Sequence, residues 1–408
     1  MSLLENLLDF VLPHLVVQSR RILSTDEPDS RALSKPSPRI PPELVSLILA
    51  SWSPSNWGRL DAREAYDERI AFYKTCAQVH RSWTALALRL LRQELRMTDD
   101  FDEQLRLLRE NPATACRLKK LEVDAGELCS WKARDGVVDQ LFATCRALEK
   151  LALTRTGNLA VDTFAYLPNL SQLSLQHIFL HSCQDAGSLA PLAHLRHLSL
   201  VSSSMHNSLL TELPHLLPNL TALELVDSHS AYFGAFPNLT FLSLDDAWFS
   251  SSVHTTTTHG RPSTFPSSLD LLSISPSTLP SLLDYLTTTH FTLSVEYLRL
   301  DTLYSHTSLD QRSLAGYARL ANMLAQDSND LPNCPFLDLE TVSLPSFLAL
   351  SPECKVDLSR IFEGCHARGI RAVYHDAQEK VLEGRRNANS AAFQTGFWRE
   401  VRRLEGAV

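Results

Sequence analysis

The side chains that most often carry chemistry, histidine and cysteine, are plentiful here but scattered. The chain has 15 histidines and 8 cysteines. No cysteines form a CxxC pair, and no HExxH, GxSxG, phosphate-loop or dinucleotide-binding pattern occurs. His254 and His259 flank a threonine run, but no cysteine or carboxylate pair completes a metal set there. We therefore expect a protein that is not an enzyme, with no metal site and no cofactor.

Composition excludes two further classes of protein. The chain has 408 residues and only 13 glycines, so phosphate-cradling glycine loops are not expected. Its net charge of -8 lacks the basic field typical of nucleic-acid binders, although Arg399, Arg402 and Arg403 form a local basic patch or a solvated helix face. The sequence has no run of about 18 apolar residues, so no membrane span is predicted. We expect neither a nucleic-acid nor a membrane partner.

The first 38 residues indicate a helix and a linker. Apolar residues at helical spacing within residues 1–20 predict a helix that either packs on the body or mediates dimerisation. The stretch contains Glu5 and Asp9 and has no basic start, so it is not read as a secretory signal. Residues 21–38 are polar and contain prolines, as in a linker.

The cysteines of the whole chain are scattered and show no paired spacing. They indicate a reducing compartment, which is the cytoplasm or the nucleus.

One phrase recurs along the rest of the chain: an apolar residue, two of any type, an apolar residue, one of any type, and an apolar residue. Its copies begin at residues 118, 148, 170, 195, 220, 239, 269, 295, 339 and 370. The alternation at its end predicts a β-strand, and a strand this short buries its leucines only if its neighbours stack beside it. Helical spacing predicts helices between copies, at 136–150, 277–288, 313–326 and 354–369.

The phrase resembles the LxxLxL core of the leucine-rich-repeat family. The resemblance implies an α/β solenoid over residues 101–376, with parallel inner strands and outer helices. The position where that family often places asparagine varies here, so we expect an irregular arc with some turns capped by other means. The Ser/Thr-rich segment 250–268 is expected to be a flexible surface loop. Residues 377–408 are expected to form a helical tail or cap, with Phe393, Phe397 and Trp398 closing the last repeat.

Strand alternation also predicts a partner-binding surface. In each phrase the apolar residues face the core, and the intervening residues face the concave side of the solenoid. Aromatic and charged residues anchor interfaces more often than serine does. Acidic residues on this surface favour a basic partner segment. The candidate partner-binding residues are Glu224, Phe241, Asp245, Tyr297, Arg299, Asp301 and Tyr374.

Residues 39–100 are expected to form a small helical domain. It begins with "RIPPELVSLIL", residues 39–49, where two prolines precede a helix with an apolar stripe. Later comes "VHRSW", in which Val79 and Trp83 share a helix face. This pair of segments resembles the F-box family, although the gap between them is longer and lacks a leucine pair. The residues that match are Ile40, Pro41, Pro42, Glu43, Leu44, Leu47, Ile48, Val79 and Trp83.

Together, an F-box followed by leucine-rich repeats resembles many fungal ubiquitin-ligase subunits. The resemblance implies that the box docks on a Skp-type adaptor of a cullin-based ligase complex, while the repeats capture an unknown protein substrate. Two alternatives remain open from the residues. Leu44, Leu47 and Ile48 bind such an adaptor, or they pack inside the chain. In the second case the protein is a repeat scaffold with a degenerate box and no ligase role.

Overall fold

The computed structural model describes most of the repeat region and parts of the first hundred residues. The described residues are 45, 49, 62–79, 81–97, 101–124, 137–181, 192–205, 213–227, 236–245, 266–288, 291–300, 311–325, 335–351, 353–375 and 396–406. The chain divides into two compact units. The first comprises residues 1–53 and 68–91, and the second comprises residues 54–67 and 92–408.

The described part of the chain contains both helices and strands. In chain order, helices α1 to α9 are Ala62–Val79, Arg81–Leu91, Phe101–Glu110, Pro112–Ala115, Val137–Thr144, Leu279–Thr288, Gln311–Ala325, Lys355–Ala367 and Gly396–Leu404. Strands β1 to β13 are Glu94–Met97, Lys120–Asp124, Lys150–Ala160, Gln172–His181, His197–Val201, Ser204–Met205, Ala222–Val226, Phe241–Asp245, Ser268–Ile274, Leu293–Leu300, Phe336–Leu337, Thr341–Pro345 and Arg371–His375. Helices α5 to α8 lie at the four segments where helical spacing predicts them.

All these strands belong to one parallel sheet. Their order along the sheet is β1-β2-β3-β4-β5-β7-β8-β9-β10-β12-β13, while β6 pairs with β4 and β11 with β10. Each of the ten recurring phrases supplies one strand, and each such strand pairs with the strand of the next copy. The predicted α/β class with stacked parallel strands is therefore confirmed, as an open, solenoid-like sheet.

Alternation gives the sheet two chemically different faces. We number five positions in each strand, starting from the residue that the pairing register aligns with Lys120 of β2. The second and fourth positions are mainly leucines, and they form one continuous buried cluster with apolar residues of α5, α6, α7 and α8. Burying a leucine contributes roughly 1.5–3 kcal/mol, and the cluster joins successive repeats. The first, third and fifth positions form the opposite surface, which we call the odd face.

The beginnings of the strands are joined by a repeated backbone hydrogen bond. The amides of Lys119 and Lys120 both donate to the carbonyl of Gln93, and those of Glu149 and Lys150 both donate to Lys119. The same doubled bond continues through the strands up to β9. Asn219 and Asn238, which follow prolines, donate their side-chain amides to the carbonyls of Ala193 and Pro218. These bonds explain the recurring Pro-Asn turns as structural features.

The turns that follow several strands are also alike. Four residues adopt a left-handed conformation immediately after the fifth strand position, namely Arg155, His177, Ser202 and Asp227. The hydroxyl of Ser203 accepts a bond from the Ile178 amide and lies within bonding distance of the Leu175 carbonyl. A serine therefore satisfies turn backbone at the position where the resembled family often has asparagine.

Two boundaries differ from the predictions. The sheet begins with β1 at Glu94–Met97, inside the segment 39–100 that was expected to be entirely helical. This strand was missed because its sequence, ELRM, lacks the leucine phrase. The prediction that Phe397 and Trp398 close the last repeat is wrong. Both residues lie in α9, which packs on residues of β7, β8 and β9 rather than on β13.

The first unit has its own small core. Val45 and Leu49, both helical, are buried with Tyr73 and Cys76 of α1 and Ala87 of α2. Helix α2 contributes further apolar side chains that are only partly covered, including Trp83. The predicted helix at 1–20, the linker at 21–38 and nearly all of the loop at 250–268 lie outside the described residues.

Candidate functional site

The odd face changes from polar to apolar and back again along the sheet. The first position of the odd face is Lys120 in β2, Lys150 in β3, Gln172 in β4 and His197 in β5. The next strands place Ala222, Phe241, Leu271 and Tyr297 in the same row. The row then becomes polar again at Thr341 and Arg371. The odd face therefore carries an apolar stretch at β7 to β10 that needs a cover.

Helix α9 provides that cover. Phe397, Trp398 and Val401 are buried in a cluster with Ala222, Phe241 and Leu271, and Tyr297 packs against it. Val401 follows Trp398 by three residues and Phe397 by four, and these spacings bring side chains to one face of a helix, so one side of α9 supplies all three anchors. The rings of Phe397 and Trp398 meet edge to face, with centroids 4.9 Å apart. We call α9 and its covered strands the tail-helix site.

A buried carboxylate fixes the indole of the tail helix. Glu224, the third residue of β7, is 1% exposed. Its Oε2 accepts a 2.5 Å bond from Trp398 Nε1 and a 2.6 Å bond from Ser199 Oγ. Burying a polar group without a hydrogen-bond partner costs free energy. These two bonds therefore lower the cost of burying the Glu224 carboxylate beneath the helix. They also specify tryptophan, since phenylalanine has no N–H to donate.

His197 forms a hydrogen bond at the end of the tail helix. Gln172 Nε2 donates to His197 Nδ1 across 2.9 Å, and His197 Nε2 lies 3.0 Å from Glu405 Oε1. A neutral ring with its proton on Nε2 satisfies both contacts. Burial lowers the pKa of His197, while the bond to Glu405 opposes that shift. The ring also lies 5.3 Å from the Trp398 ring, centroid to centroid, so it joins both ends of the contact.

Positive charges crowd one corner of the tail-helix site. Desolvation lowers the pKa of Lys150, and the charges of Lys120 and Arg402 lower it further. The pKa of Arg402 is also lowered, first by burial and then by Arg399. The charge of Glu405 opposes the shift at Arg402, and that of Glu149 opposes the shift at Lys150, so acidic side chains are also present at this corner.

Beside this corner lies an open polar groove of about 860 Å³. Its lining residues are Glu149, Asn169, Ser171, Gln172, His194, Arg196, His197 and Glu405. Farther along the odd face, Arg96 of β1 lies 3.6 Å from Glu122 and 4.0 Å from Asp124. All three of those side chains are largely buried, so this ion cluster belongs to the structure of the first repeats.

The structure places the predicted partner-binding residues in unequal environments. Glu224, Phe241, Asp245 and Arg299 lie on the odd face, as alternation predicts, but all four are buried. Tyr297 is half-buried beside the tail helix. The prediction for Tyr374 is wrong in a different way. Tyr374 of β13 pairs with the core residue Leu344, so it lies on the core face beside Phe362 of α8, although it is 44% exposed. The last copy of the phrase pairs one residue out of step with the others, which moves Tyr374 to the opposite face. Asp301 lies outside the described residues. The expectation of an accessible surface is therefore wrong for the four buried residues.

Sequence reasoning missed the residues that cover this surface. His197 was not among the candidates, and Phe397, Trp398, Val401 and Glu405 were not connected with the odd face. A detectable signal was present in the row of first positions. Ala222, Phe241 and Leu271 are apolar on the face that should be polar, which indicates an internal or external cover.

Most of the F-box-like residues lie outside the described part of the chain, namely Ile40, Pro41, Pro42, Glu43, Leu44, Leu47 and Ile48. Val79 ends α1, and Trp83 packs partly against the core of the first unit. The residues of that opening segment that the structure does describe are Val45 and Leu49, and both are buried. They were not predicted as core positions.

Most of the described cysteines have the character of core residues. Cys76, Cys145, Cys354 and Cys365 are buried free thiols, whereas Cys116 is an exposed free thiol. Burial raises the pKa of Cys76 and of Cys365 to about 11 and that of Cys145 to about 12. Thiols with raised pKa values are poor nucleophiles. Within the described ranges, no group of three histidine, cysteine or acidic residues is arranged to hold a metal ion.

Comparison with known proteins gives no family for this chain. No protein-family model matches it, and no curated protein is significantly similar to it. Among the helices that the structure describes, none is both long enough and apolar enough to cross a membrane.

Proposed function

We propose that this protein is a protein-interaction adaptor whose repeat sheet binds its partners through the odd face. The observation that carries the proposal is the tail-helix site. There a helix is held on the sheet by three buried apolar anchors and a tryptophan bonded to a buried carboxylate. Burying an amphipathic helix in an apolar groove is a common mode of protein recognition. A face that binds one such helix has the chemistry to bind another.

In its finer form, the proposal is that the protein is the substrate-recognition subunit of a cullin-based ubiquitin ligase. The order of the two units supports this, because a helical unit with F-box-like residues precedes a sheet built from leucine-rich phrases. Helix α2 adds support from the structure. Its large apolar residues Trp83, Leu86, Leu90 and Leu91 are only partly buried, and Leu88 is 39% exposed. An incompletely covered helix is what docking on a Skp-type adaptor requires.

The alternative is a repeat scaffold with a degenerate box and no ligase role. Val45 and Leu49 favour it, because they direct apolar residues of the "RIPPELVSLIL" segment into the core of their own unit. A helix that uses part of its apolar surface internally has less to offer a partner. Under this reading the odd face still binds proteins, but the first unit has no docking role.

We place the protein in the cytoplasm or nucleus, in keeping with its free, buried cysteines. No catalytic residue, cofactor, nucleic acid or membrane partner is proposed. The raised pKa values of Cys76, Cys145 and Cys365 make these three buried thiols poor nucleophiles. The partners are a Skp-type adaptor with its cullin complex, and a protein substrate.

Binding to a purified Skp-type adaptor tests the ligase proposal. Leu88→Asp places a charge on the exposed apolar side of α2 and should weaken binding at least about tenfold. Leu107→Asp is the matched control, because Leu107 of α3 is 45% exposed and lies in the second unit. Circular dichroism should show that both variants remain folded. If the wild-type chain does not bind the adaptor, the ligase proposal is wrong and the scaffold alternative stands.

A further inference from the structure

The open polar groove of about 860 Å³ lies where β3, β4 and β5 begin. Its lining residues occupy the first position of these strands or lie up to three residues before it, and Glu405, which follows α9, completes the lining. We call it the strand-start groove. Pockets of this size take ligands much larger than a single ion. The strand-start groove is therefore large enough for several side chains of a bound segment.

The two acidic residues of the strand-start groove are already engaged. Glu149 Oε1 lies 2.6 Å from Lys119 Nζ, and Glu405 Oε1 lies 3.0 Å from His197 Nε2. Each carboxylate thus has a donor from its own chain. A cationic ligand would have to compete with these internal donors, so the groove is poorly suited to a positive group.

The donors that line the strand-start groove have no such partners. Asn169, His194 and Arg196 are all exposed. In the part of the chain that the structure describes, their side chains form neither a hydrogen bond nor an ion pair. A guanidinium group, a side-chain amide and an imidazole are therefore all available to a ligand in this groove.

Asn169 differs in this respect from its counterparts in two later copies. Asn219 and Asn238, which also follow prolines, donate their side-chain amides to the carbonyls of Ala193 and Pro218 across 2.5 and 2.7 Å. The amide of Asn169 forms no such bond among the described residues. It is thus not needed for the turn, and it remains a donor in the groove.

The pairing register brings the three donors to two neighbouring strand starts. Gln172 pairs with His197, so Asn169 and His194 both lie three residues before the first position, and Arg196 lies one residue before it. Neighbouring strands are about 4.8 Å apart, which allows groups on both to contact one ligand atom group. Lys150 pairs with Gln172 and places a further positive charge beside the groove.

This set of donors matches an oxyanion. The planar fork of a guanidinium donates two parallel bonds to a carboxylate or a phosphate. An amide and an imidazole donate to the oxygens that remain. The two acidic side chains that led us to expect a basic partner segment, Glu224 and Asp245, are by contrast buried.

We propose that the strand-start groove binds an anionic side chain, a carboxylate or a phosphate ester, of the protein partner. Arg196 binds the oxyanion, while Asn169 and His194 donate to its remaining oxygens. The inference rests on the proposed function and deepens it, since it states the chemistry of the segment that the repeats capture.

Three capped amino acids serve as probes: N-acetyl-phosphoserine methylamide, N-acetyl-glutamate methylamide and N-acetyl-serine methylamide. Saturation-transfer NMR of the acetyl protons measures their binding to the full-length chain, and phosphorus NMR measures the binding of inorganic phosphate. The proteins are wild type, Arg196→Gln, Glu149→Gln and Arg371→Gln. Arg371→Gln is the matched control, because it makes the same charge change at the exposed first position of β13, away from β5 in the sheet order. Circular dichroism should show that all variants are folded.

At least one anionic probe should bind the wild type about tenfold or more tightly than the capped serine does. Arg196→Gln should weaken that binding about tenfold or more, because a charge-assisted hydrogen bond is lost. Arg371→Gln should leave it unchanged. Glu149→Gln should strengthen it about twofold, because a negative charge is removed from the groove. The stronger of the two anionic probes identifies the group as a phosphate or a carboxylate.

Three results would overturn the proposal. The first is that neither anionic probe binds more tightly than the capped serine. The second is an equal loss in Arg196→Gln and Arg371→Gln, which would show an effect of net charge rather than a site. The third is binding of inorganic phosphate alone, which would make the groove a site for a free ion. Because the adaptor assay with Leu88→Asp concerns the first unit, failure there leaves the outcome of the probe assay unaffected, and the reverse also holds.

Discussion

Replacing Trp398 gives the sharpest test of how the tail helix is held. Trp398 is 1% exposed, so Trp398→Ala removes a fully buried indole from the cluster. Such substitutions cost roughly 3–5 kcal/mol. The change also leaves Glu224 with one donor fewer, because the Trp398 Nε1 bond is lost and the Ser199 bond remains. Losing a partner for a buried polar group costs about 1–3 kcal/mol when the group stays buried.

These magnitudes set the expected readout. A helix of nine residues held by three anchors lies at the low end of local opening free energies, so a loss of this size is enough to undock it. Hydrogen exchange at residues 397–404 should therefore accelerate about a hundredfold or more in Trp398→Ala. Trp398→Phe keeps most of the apolar contact and removes only the N–H. Its loss should cost about 1.5–3 kcal/mol, so hydrogen exchange of the tail helix should be about ten- to a hundredfold faster than in the wild type.

The controls separate local undocking from general destabilisation. Amides of β7 to β9 should keep their protection, because the leucine cluster on the core face is untouched. Tyr166→Ala removes an aromatic residue that is 41% exposed elsewhere in the same unit, and it should leave tail exchange unchanged. If Trp398→Ala does not accelerate tail exchange, or if the strands beneath open equally, the helix is not held by the contacts described.

Three further predictions concern stability and pH. Arg96→Ala removes the ion-pair partner of two largely buried carboxylates and should lower the free energy of unfolding by about 3–5 kcal/mol in urea titration, whereas Arg106→Ala, whose ion pairs are exposed, should leave it nearly unchanged. Gly316→Ala should lower the free energy of unfolding by about 1–3 kcal/mol, although alanine favours a helix more than glycine does. The reason is that the added Cβ would overlap the carbonyl oxygen of Pro276. A raised melting temperature would contradict this prediction. Burial lowers the pKa of His197 in the folded state below its usual value of 6.5. The contribution of the neutral ring to stability is therefore present above about pH 6.5 and is lost as the pH falls through the folded pKa. Hydrogen exchange of the tail helix should accelerate on acidification, and it should accelerate less in His197→Gln.

The sheet could be predicted from the sequence because its information is local. Each phrase contains apolar residues at strand spacing, such as Leu173 and Leu175, and these indicate which residues face the core in every copy but the last, where Tyr374 rather than Val373 aligns with the core residue Leu344. Ten copies then fix the neighbours, because each strand must stack on the next. The strand β1 escaped because Leu95 and Met97 alternate without the preceding leucine that marks the other copies.

The tail-helix site could not be predicted in the same way. Trp398 and Glu224 are 174 residues apart, and nothing near either residue encodes their contact. Alternation correctly places Glu224 and Phe241 on the odd face, but it does not show whether that face is covered. The F-box-like stripe illustrates a related limit. Helical spacing selected Leu44, Leu47 and Ile48, whereas the buried residues the structure describes are Val45 and Leu49.

The doubled backbone bond at the start of each strand has a consequence for how this chain tolerates change. It connects neighbouring copies that are 19 residues apart at Thr221 and Thr240, and 30 apart at Lys119 and Glu149. Because each strand is aligned afresh by its own beginning, the alignment is independent of the length of the segment between copies. Segments can therefore grow or shrink without shifting any side chain to the wrong face. We expect a glycine-serine insertion between β8 and β9 to leave the alignment of the later strands unchanged, so that the binding surface and the intervening loops can diversify separately.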